Sequence, residues 1–389
     1  MKSSDPWIYL DYAATTPVDR AVMEEMLPYF SEVFGNPSSS HGLGRQARQA
    51  LEGARSKIAA FLGARHDEVF FTSGGTEANN AAIMGIAGAN KARGNHIVIS
   101  AIEHHSVLDT CLFLEKLGFR VTRLPVDGHG LVDPDEVGRA VTGETVLISV
   151  MHGNNEIGTI EPVAEISRVA RKQGIYFHTD AVQTLGHIPV NVDELGVDAL
   201  SASAHKLYGP KGVGIIYIKK GVTIAPFVHG GGQEGYYRAG TENLPGCVGF
   251  GKAVEVAGRE AEKEEHRSAG LRERLISGLT GTIDGVKLNG HPRERLAGNV
   301  NVTVDGVSGE ALLFDLRLEG ICVSNGSACN SDSAEPSHVL LSIGLSPEAA
   351  RSTVRFSLGR QTTEADIERV LEVMPLSVTR LRASYVPHL

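Results

Sequence analysis

Short apolar runs and amphipathic stretches alternate along the first half of the chain. From about residue 45 to residue 220, runs such as VFFT, HIVIS and TVLIS are followed by polar clusters and then by segments with helical periodicity. Short apolar runs are typical of buried strands, and a 3.6-residue spacing of apolar positions is typical of helices. The alternation therefore predicts an α/β fold with a mainly parallel sheet and helices on both faces.

Polar clusters follow the ends of five of these predicted elements, most of them strands. They lie at residues 73–76, 103–105, 152–156, 178–183 and 201–206. The carboxyl ends of parallel strands meet at one edge of a sheet, and ligands of open α/β sheets bind there. The sequence therefore predicts a single ligand site assembled from these clusters.

The pattern changes after about residue 260. A long charged helical stretch leads into a strand-like run, a second helix, a loop rich in Ser and Asn, another strand and a terminal helix. We interpret residues 16–260 as a large domain. Residues 1–15 and 261–389 are predicted to form a smaller α+β domain that carries the loop at about 322–335.

The composition and charge exclude several classes of partner. The chain has 389 residues, a net charge of −9 and no block of Lys or Arg, which argues against nucleic-acid binding. No apolar run approaches the roughly 20 residues that a membrane-spanning helix needs. Asp5, Pro6 and Asp11 interrupt any apolar core of a signal peptide, so we expect a cytoplasmic protein that does not bind membranes.

The four cysteines form no C-x-x-C pair, so a zinc or redox motif is not indicated. Cys111 and Cys247 lie in apolar surroundings, and we expect them to be buried. Cys329 lies in the loop SNGSACNSDS, where an exposed thiol would be a candidate nucleophile. The alternative is that Cys329 is an incidental loop cysteine.

Two charged residues at strand ends suggest chemistry with an aldehyde cofactor. Lys206, in SASAHKLYG, has the position of a lysine that forms a Schiff base, although a surface lysine is the commoner case. The spacing around it does not match a P-loop. Asp180, in FHTDAVQ, has the position of a carboxylate that pairs with a pyridine nitrogen, or equally of a cap for the next turn.

Two further clusters have a ligand interpretation and a plain one. SGGTEANN places Gly75 and Thr76 at a predicted helix N-terminus, which suits a phosphate, although a simple glycine turn has the same pattern. His104 and His105 follow a strand, where a histidine stacks on a ring or moves protons. The alternatives are a solvated loop or a metal ligand, and one adjacent pair does not make a metal site.

Taken together, the motifs resemble the NifS/IscS-type cysteine desulfurases of the class V aminotransferase family, which are pyridoxal 5'-phosphate (PLP) enzymes of fold type I. The resemblance runs nearly end to end and implies a mainly parallel seven-stranded sheet in a large domain, with a smaller α+β domain. The motifs that carry it are YLDYAATTPVD, FGNPSSSH, FTSGGTEANN, EHHSVLDT, VMHGNNEIGTI, HTDAVQ, SASAHKLYGPKGVG, RAGTEN, GSACNS, EPSHVL and RFSLGR.

The resemblance implies roles for residues around the cofactor ring. Lys206 forms the Schiff base, Asp180 pairs with the pyridine nitrogen, and Gln183 hydrogen-bonds the phenolic oxygen. His104 stacks on the ring and acts as a general acid or base. Asn155 lies near the ring oxygen and the substrate.

It also implies roles at the phosphate and at the substrate. Thr241 is expected to reach the phosphate of the other subunit of a homodimer. Arg355 binds the substrate carboxylate, and Asn36 lies near the entrance. The phosphate is held by Gly75, Thr76, Ser203 and His205.

The implied reaction converts L-cysteine to L-alanine and leaves the sulfur on Cys329 as a persulfide. An acceptor such as an iron–sulfur scaffold protein or a tRNA-thiolation protein then takes the sulfur. No resident metal is implied, although Cys329 could transiently ligate an iron–sulfur cluster. The alternatives are a selenocysteine lyase or another class V aminotransferase, which would not need Cys329. A sulfur carrier without catalysis is a further alternative, against which Lys206, Asp180 and Arg355 argue.

Overall fold

The computed structural model describes residues 7–325 and 335–384, and Cys329 lies outside these ranges. The strands in the described part are β1 Ile8–Tyr9, β2 Val69–Thr72, β3 His96–Ser100, β4 Arg120–Leu124, β5 Thr145–Ser149, β6 Tyr176–Asp180, β7 Ala199–Ser203, β8 Gly214–Ile218, β9 Val286–Asn289, β10 Asn299–Val304, β11 Ile321–Cys322 and β12 Thr353–Ser357. The helices there are α1 Arg20–Met26, α2 Pro28–Ser31, α3 Gly42–Leu62, α4 Gly75–Ala89, α5 His105–Lys116, α6 Pro134–Ala140, α7 Val163–Lys172, α8 Val192–Leu195, α9 Leu244–Thr282, α10 Gly309–Leu318, α11 His338–Ser342, α12 Pro347–Arg351 and α13 Glu364–Ser384.

A seven-stranded sheet forms the centre of the larger part of the molecule. Its strand order is β2-β8-β7-β6-β5-β3-β4. The pairs from β7 through β6, β5 and β3 to β4 are parallel, whereas β8 is antiparallel to both β7 and β2. This arrangement confirms the predicted α/β class and the mainly parallel sheet. The strand β8 was not identified from the sequence.

Helices cover both faces of this sheet, because successive side chains of a strand point to opposite faces. On β3, Val98 belongs to the core that contains α3, α7 and the first half of α9. Its neighbours Ile97 and Ile99 belong to the opposite core, which contains α4 and α5. Cys111 and Cys247 are buried in these cores, as predicted. No helix in the described ranges is both long and apolar enough to cross a membrane.

A separate core lies around the antiparallel sheet β12-β10-β9, with α10, α13 and the second half of α9. Helix α9 runs through both parts of the molecule, since Val254 packs in a core of the large sheet and Leu275 packs in the core of the small sheet. The predicted division at residue 260 falls inside this helix, and we keep that division as a proposal. The N-terminal segment joins the second part, because β1 pairs in parallel with β11.

The close approach of α3 and α9 gives a prediction about stability. A Cβ at Gly251 would lie 2.8 Å from the Cα of Ala54, whereas a Cβ at Gly270 on the same helix meets nothing within 4 Å. Gly251→Ala should therefore lower the free energy of unfolding by about 1–3 kcal/mol through overpacking. Gly270→Ala should raise it by about 0.5–1 kcal/mol because alanine favours helix. Thermal unfolding of both variants tests this, and an unchanged midpoint for Gly251→Ala would contradict it.

Candidate active site

A cavity of about 320 Å³ lies at the carboxyl edge of the large sheet. Its walls come from the segments that follow β2, β3, β5, β6 and β7, together with the N-terminal segment and strand β12. Ten of the residues singled out from the sequence line this one cavity: Gly75, Thr76, His104, Asn155, Asp180, Gln183, Ser203, His205, Lys206 and Arg355. The parallel sheet therefore brings together side chains that are up to 280 positions apart.

Lys206 lies in a single 3-10 turn directly after β7 and is partly buried. Its Nζ donates to the carbonyl oxygens of Ala13 at 2.5 Å and Ala14 at 2.8 Å. The side-chain amide of Gln183 donates to the same Ala13 oxygen at 3.0 Å. The sequence reasoning gave the N-terminal segment no role in the site, although its YLDYAATTP motif was noted. In the structure this segment forms part of the cavity wall.

Asp180 ends β6 and is buried. Its Oδ2 accepts from the side-chain amide of Asn79 at 2.6 Å, and its Oδ1 accepts from the backbone N–H of Val182 at 2.9 Å. The bond to Val182 caps the turn after β6, which is one of the two roles expected from the sequence. The same carboxylate also lines the cavity. Asn79, on α4, was not singled out. It also donates to the hydroxyl of Ser106 at 2.8 Å.

His104 caps the N-terminus of α5. Its Nδ1 accepts from the backbone N–H of Ser106 at 3.1 Å and lies 2.8 Å from the Ser106 hydroxyl. A backbone N–H can only donate, so the hydrogen of the neutral ring is on Nε2. Burial lowers the pKa of His104, which keeps the ring neutral at pH 7. A chain of polar contacts thus joins His104 through Ser106 and Asn79 to Asp180.

The N-terminus of α4 opens toward the cavity. Helix α4 begins at Gly75 after Gly74, which has a φ of +156° that favours glycine. A Cβ at Gly75 would lie 2.6 Å from Val182, so the backbone approaches closely here. Together with Thr76, Ser203 and His205, these two glycines also line an adjoining hollow. Backbone N–H groups, hydroxyls and a helix dipole at one point are suited to an anion.

His205 contributes a neutral ring to this region. Its Nδ1 lies 3.0 Å from the hydroxyl of Thr15. Burial lowers the pKa of His205 to about 4, with smaller contributions from Lys206 and Lys211. The positive charge around the hollow therefore comes from lysine and not from histidine.

Arg355 lies in the middle of β12 with only 2% of its side chain exposed. Its Nη2 donates to Oδ1 of Asp11 at 2.7 Å, and its Nη1 donates to the carbonyl oxygen of Asn155 at 2.9 Å. A buried guanidinium is stable only when such partners compensate its charge. Asp11 is another N-terminal residue to which the sequence reasoning assigned no role.

Glu103 is a buried acid that the sequence reasoning placed in a cluster but gave no function. Its Oε1 accepts from the Ser100 hydroxyl at 2.5 Å and from the Met151 N–H at 2.8 Å. Among the described residues, Oε2 has no hydrogen-bond partner. Burial raises the pKa of Glu103 to about 8, so the side chain is mostly protonated at neutral pH.

The described residues on both sides of the stretch 326–334 contact the cavity wall. Before it, the backbone of Ser324 pairs with that of Arg355. After it, the Ser337 hydroxyl donates to Oε2 of Glu156 at 2.5 Å, and Nε2 of His338 lies 2.9 Å from the carbonyl oxygen of Glu103. Cys329 itself lies outside the described residues.

Asn36 and Thr241 are not part of the cavity lining. Both are exposed in the single chain. Their neighbours Pro37, Ser38 and Glu242 border a different hollow, which Tyr237 also lines. Within residues 7–325 and 335–384, no group of three or more His, Cys, Asp or Glu side chains is placed to hold a metal ion.

Comparison with known proteins gives a consistent family. The sequence model of the class V aminotransferase family matches residues 8–370 of this chain. The chain belongs to this family. It is 55% identical to the cysteine desulfurase IscS of Dictyoglomus turgidum over 96% of the chain and 95% of the relative. The IscS of Methanosarcina thermophila is 54% identical over 96% of the chain and 93% of the relative.

Solved structures agree with these relatives. A NifS-like protein matches with a TM-score of 0.91 and 39% identity, covering 96% of this chain and 100% of the other. The structure of SspA in complex with cysteine matches with a TM-score of 0.81 and 39% identity, covering 90% and 98%. Within the class V aminotransferases, the chain belongs to the NifS/IscS-type cysteine desulfurases, which are PLP-dependent enzymes. This membership confirms the resemblance and the predicted fold type.

The protonated Glu103 gives a prediction about pH. Burial raises the pKa of this side chain to about 8 in the folded chain, against about 4.5 for an ordinary glutamate. Between these two pH values the unfolded chain loses a proton that the folded chain keeps, so this residue lowers the free energy of unfolding as pH rises. Glu103→Gln removes the titration. Its stability relative to the wild type should increase from pH 5 to pH 8 and level off above.

Unfolding midpoints measured across this pH range check the effect. Glu372→Gln is the matched control, because that glutamate is 68% exposed and should show no such trend. A constant difference between Glu103→Gln and the wild type from pH 5 to pH 8 would contradict a protonated Glu103.

Proposed function

We propose that this chain binds PLP in the cavity and converts L-cysteine to L-alanine, with transfer of the sulfur to Cys329. The observation that carries the proposal is the meeting of three groups in one cavity. These are an amine at Lys206, a buried carboxylate at Asp180 and a helix N-terminus at Gly75 that is suited to an anion. The three groups match the aldehyde, the pyridine nitrogen and the phosphate of PLP.

The chemistry of the remaining donors also fits the cofactor. Thr76, Ser203 and His205 surround the α4 terminus and would hold the phosphate, while Gln183 would bond the ring oxygen. When bound, PLP supplies an electron sink that weakens bonds to the substrate carbon atoms. The protein's own residues then position the substrate and move its protons.

Lys206 is the residue that we assign to proton movement at the substrate Cα. Its amine reaches the carbonyl oxygens of Ala13 and Ala14. These oxygens would hold the amine when it is not bonded to the cofactor. The amine would thereby stay inside the cavity, where it can move the proton at the substrate Cα.

His104 serves mainly to orient the ring of the cofactor. Its hydrogen is on Nε2 because Nδ1 accepts from Ser106. To accept a proton from the substrate thiol, Nε2 would have to lack its hydrogen. The hydrogen would then be on Nδ1, where it would face the backbone N–H of Ser106. The lowered pKa opposes protonation as well. We therefore assign His104 to stacking and to donating a hydrogen bond from Nε2.

Arg355 and Asn155 form the substrate end of the site. Arg355 offers a planar donor set that suits a carboxylate, and its Nη1 is held by the Asn155 carbonyl oxygen. Substrate cysteine bound there would have its amine toward Lys206. Its sulfur would then be available to a second thiol.

Cys329 is the proposed acceptor of that sulfur. Its thiolate attacks the substrate sulfur, an S–S bond forms, and the C–S bonding pair stays on the carbon, which is then protonated to give alanine. The contacts of Ser324 and Ser337 with the cavity wall support this assignment. The persulfide would pass to an acceptor such as an iron–sulfur scaffold protein.

A homodimer and a cytoplasmic location complete the proposal. Thr241 is exposed in the single chain, which is consistent with a contact to the phosphate of a second subunit. Asn36 is also exposed and would lie near the entrance.

The desulfurase reaction predicts a specific effect of removing the acceptor thiol. Cys329→Ser should keep the visible absorption of the bound cofactor but lower sulfide release from L-cysteine with a thiol reductant at least about a hundredfold, because no nucleophile takes the sulfur. The matched control is Cys322→Ser, a partly buried cysteine of β11, which should stay within about twofold of the wild type.

Normal turnover by Cys329→Ser would overturn the persulfide role. The chain would then act directly on its substrate, as a selenocysteine lyase does. A comparison of selenocysteine with cysteine as substrate would distinguish these activities.

A further inference from the structure

Asp11 places a second charge beside the proposed substrate-binding arginine. Arg355 is 2% exposed and Asp11 is 21% exposed, and their side chains meet at 2.7 Å. Arg355 lines the cavity that is proposed to bind the carboxylate of cysteine, and it is held from behind the cavity lining by the carboxylate of Asp11. Any substrate bound at Arg355 would share it with Asp11.

The backbone around Asp11 is fixed by several hydrogen bonds. Asp11 forms a parallel bridge with Ser357, two residues after Arg355 on the same strand. The Ala13 N–H donates to the Ser357 hydroxyl at 2.9 Å, and the Tyr9 hydroxyl donates to the Asp11 carbonyl oxygen at 2.9 Å. Strand β12 thus presents the arginine, and the N-terminal segment presents its acid alongside.

This geometry has two opposing effects on a carboxylate ligand. Asp11 fixes the guanidinium in the cavity wall, which favours binding by preorganisation. Its negative charge also lowers the positive potential at the arginine and repels a second carboxylate. Substrate and product both carry that carboxylate, so the charge weakens the binding of both and helps the product to leave.

We propose that Asp11 is a positioning residue that sets the affinity of the site for the carboxylate of its amino-acid ligand. This inference rests on the proposed function, in which Arg355 binds that carboxylate. The effect is specific to ligands that carry a carboxylate. It should be absent for an amine of the same shape that lacks this group.

The test compares L-alanine with ethylamine, which is alanine without its carboxylate. Each is titrated into the PLP-loaded enzyme and followed by the change in visible absorption, so that no turnover is needed. Asp11→Asn keeps an oxygen acceptor for Arg355 but removes the charge. We expect L-alanine to bind at least about tenfold more tightly, because a unit charge within about 12 Å contributes that much or more at an effective dielectric constant of about 20, and ethylamine to be unchanged.

Two results would overturn the inference. The first is an L-alanine affinity that is unchanged or weaker in Asp11→Asn. The second is an equal change for L-alanine and ethylamine, which would indicate a general effect on the site. Asp11→Ser also removes the charge and keeps a short oxygen acceptor, so it should shift the L-alanine affinity in the same direction. It replaces the asparagine variant in the test if that variant does not fold.

Arg355→Gln separates this inference from the proposed function. It should weaken L-alanine binding and leave ethylamine unchanged. If it weakens neither, the role of Arg355 in the proposed function fails. If it weakens L-alanine while Asp11→Asn has no effect, only the inference about Asp11 fails.

Discussion

The cavity depends on a short N-terminal stretch, residues 11–14, that lies between the two parts of the molecule. Asp11 forms an ion pair with Arg355 on β12, while the carbonyl oxygens of Ala13 and Ala14 accept from Lys206 after β7. The strand pairing of β1 with β11 places this stretch. The amine from the large sheet and the arginine from the small one therefore contact different residues of the same short stretch, which fixes the relative positions of the two charged groups.

The distribution of charge in the cavity follows from burial. His104 and His205 stay neutral because burial lowers their pKa values, and Glu103 stays protonated because burial raises its pKa. The charges that remain for ligand binding are those of Lys206 and Arg355 with their acidic neighbours. The groups suited to an aldehyde, to a phosphate and to an amino-acid carboxylate therefore lie at separate points of one cavity surface.

Much of this site could be predicted from the sequence because its residues follow strand ends. Asp180 and Ser203 end parallel neighbours, and Gly75 begins a helix after β2, so strand and helix patterns alone place them at one edge. The mainly parallel sheet and the helices on both faces were likewise predicted from these patterns, whereas the number of seven strands was implied by the family resemblance. The strand β8 was missed because its run lies among glycines just after the Lys206 motif. Helix α9 crosses the predicted boundary because its apolar positions serve two cores.

The residues that could not be predicted are those whose partners are distant in the chain. Asp11 is 344 positions from Arg355, and Asn79 is 101 positions from Asp180. Neither has a local pattern that reveals its role. Glu103 is visible as a polar residue after a strand, but its protonation depends on complete burial, with Ser100 at the end of β3 and Met151 after β5 as its partners.

Attachment of the cofactor to Lys206 can be measured directly. The PLP-loaded chain is reduced with borohydride, digested and examined by peptide mass spectrometry, which identifies the lysine that was linked to the aldehyde. We expect the pyridoxyl group on Lys206. Labelling of Lys211 or another lysine in its place, or no labelled peptide, would contradict it.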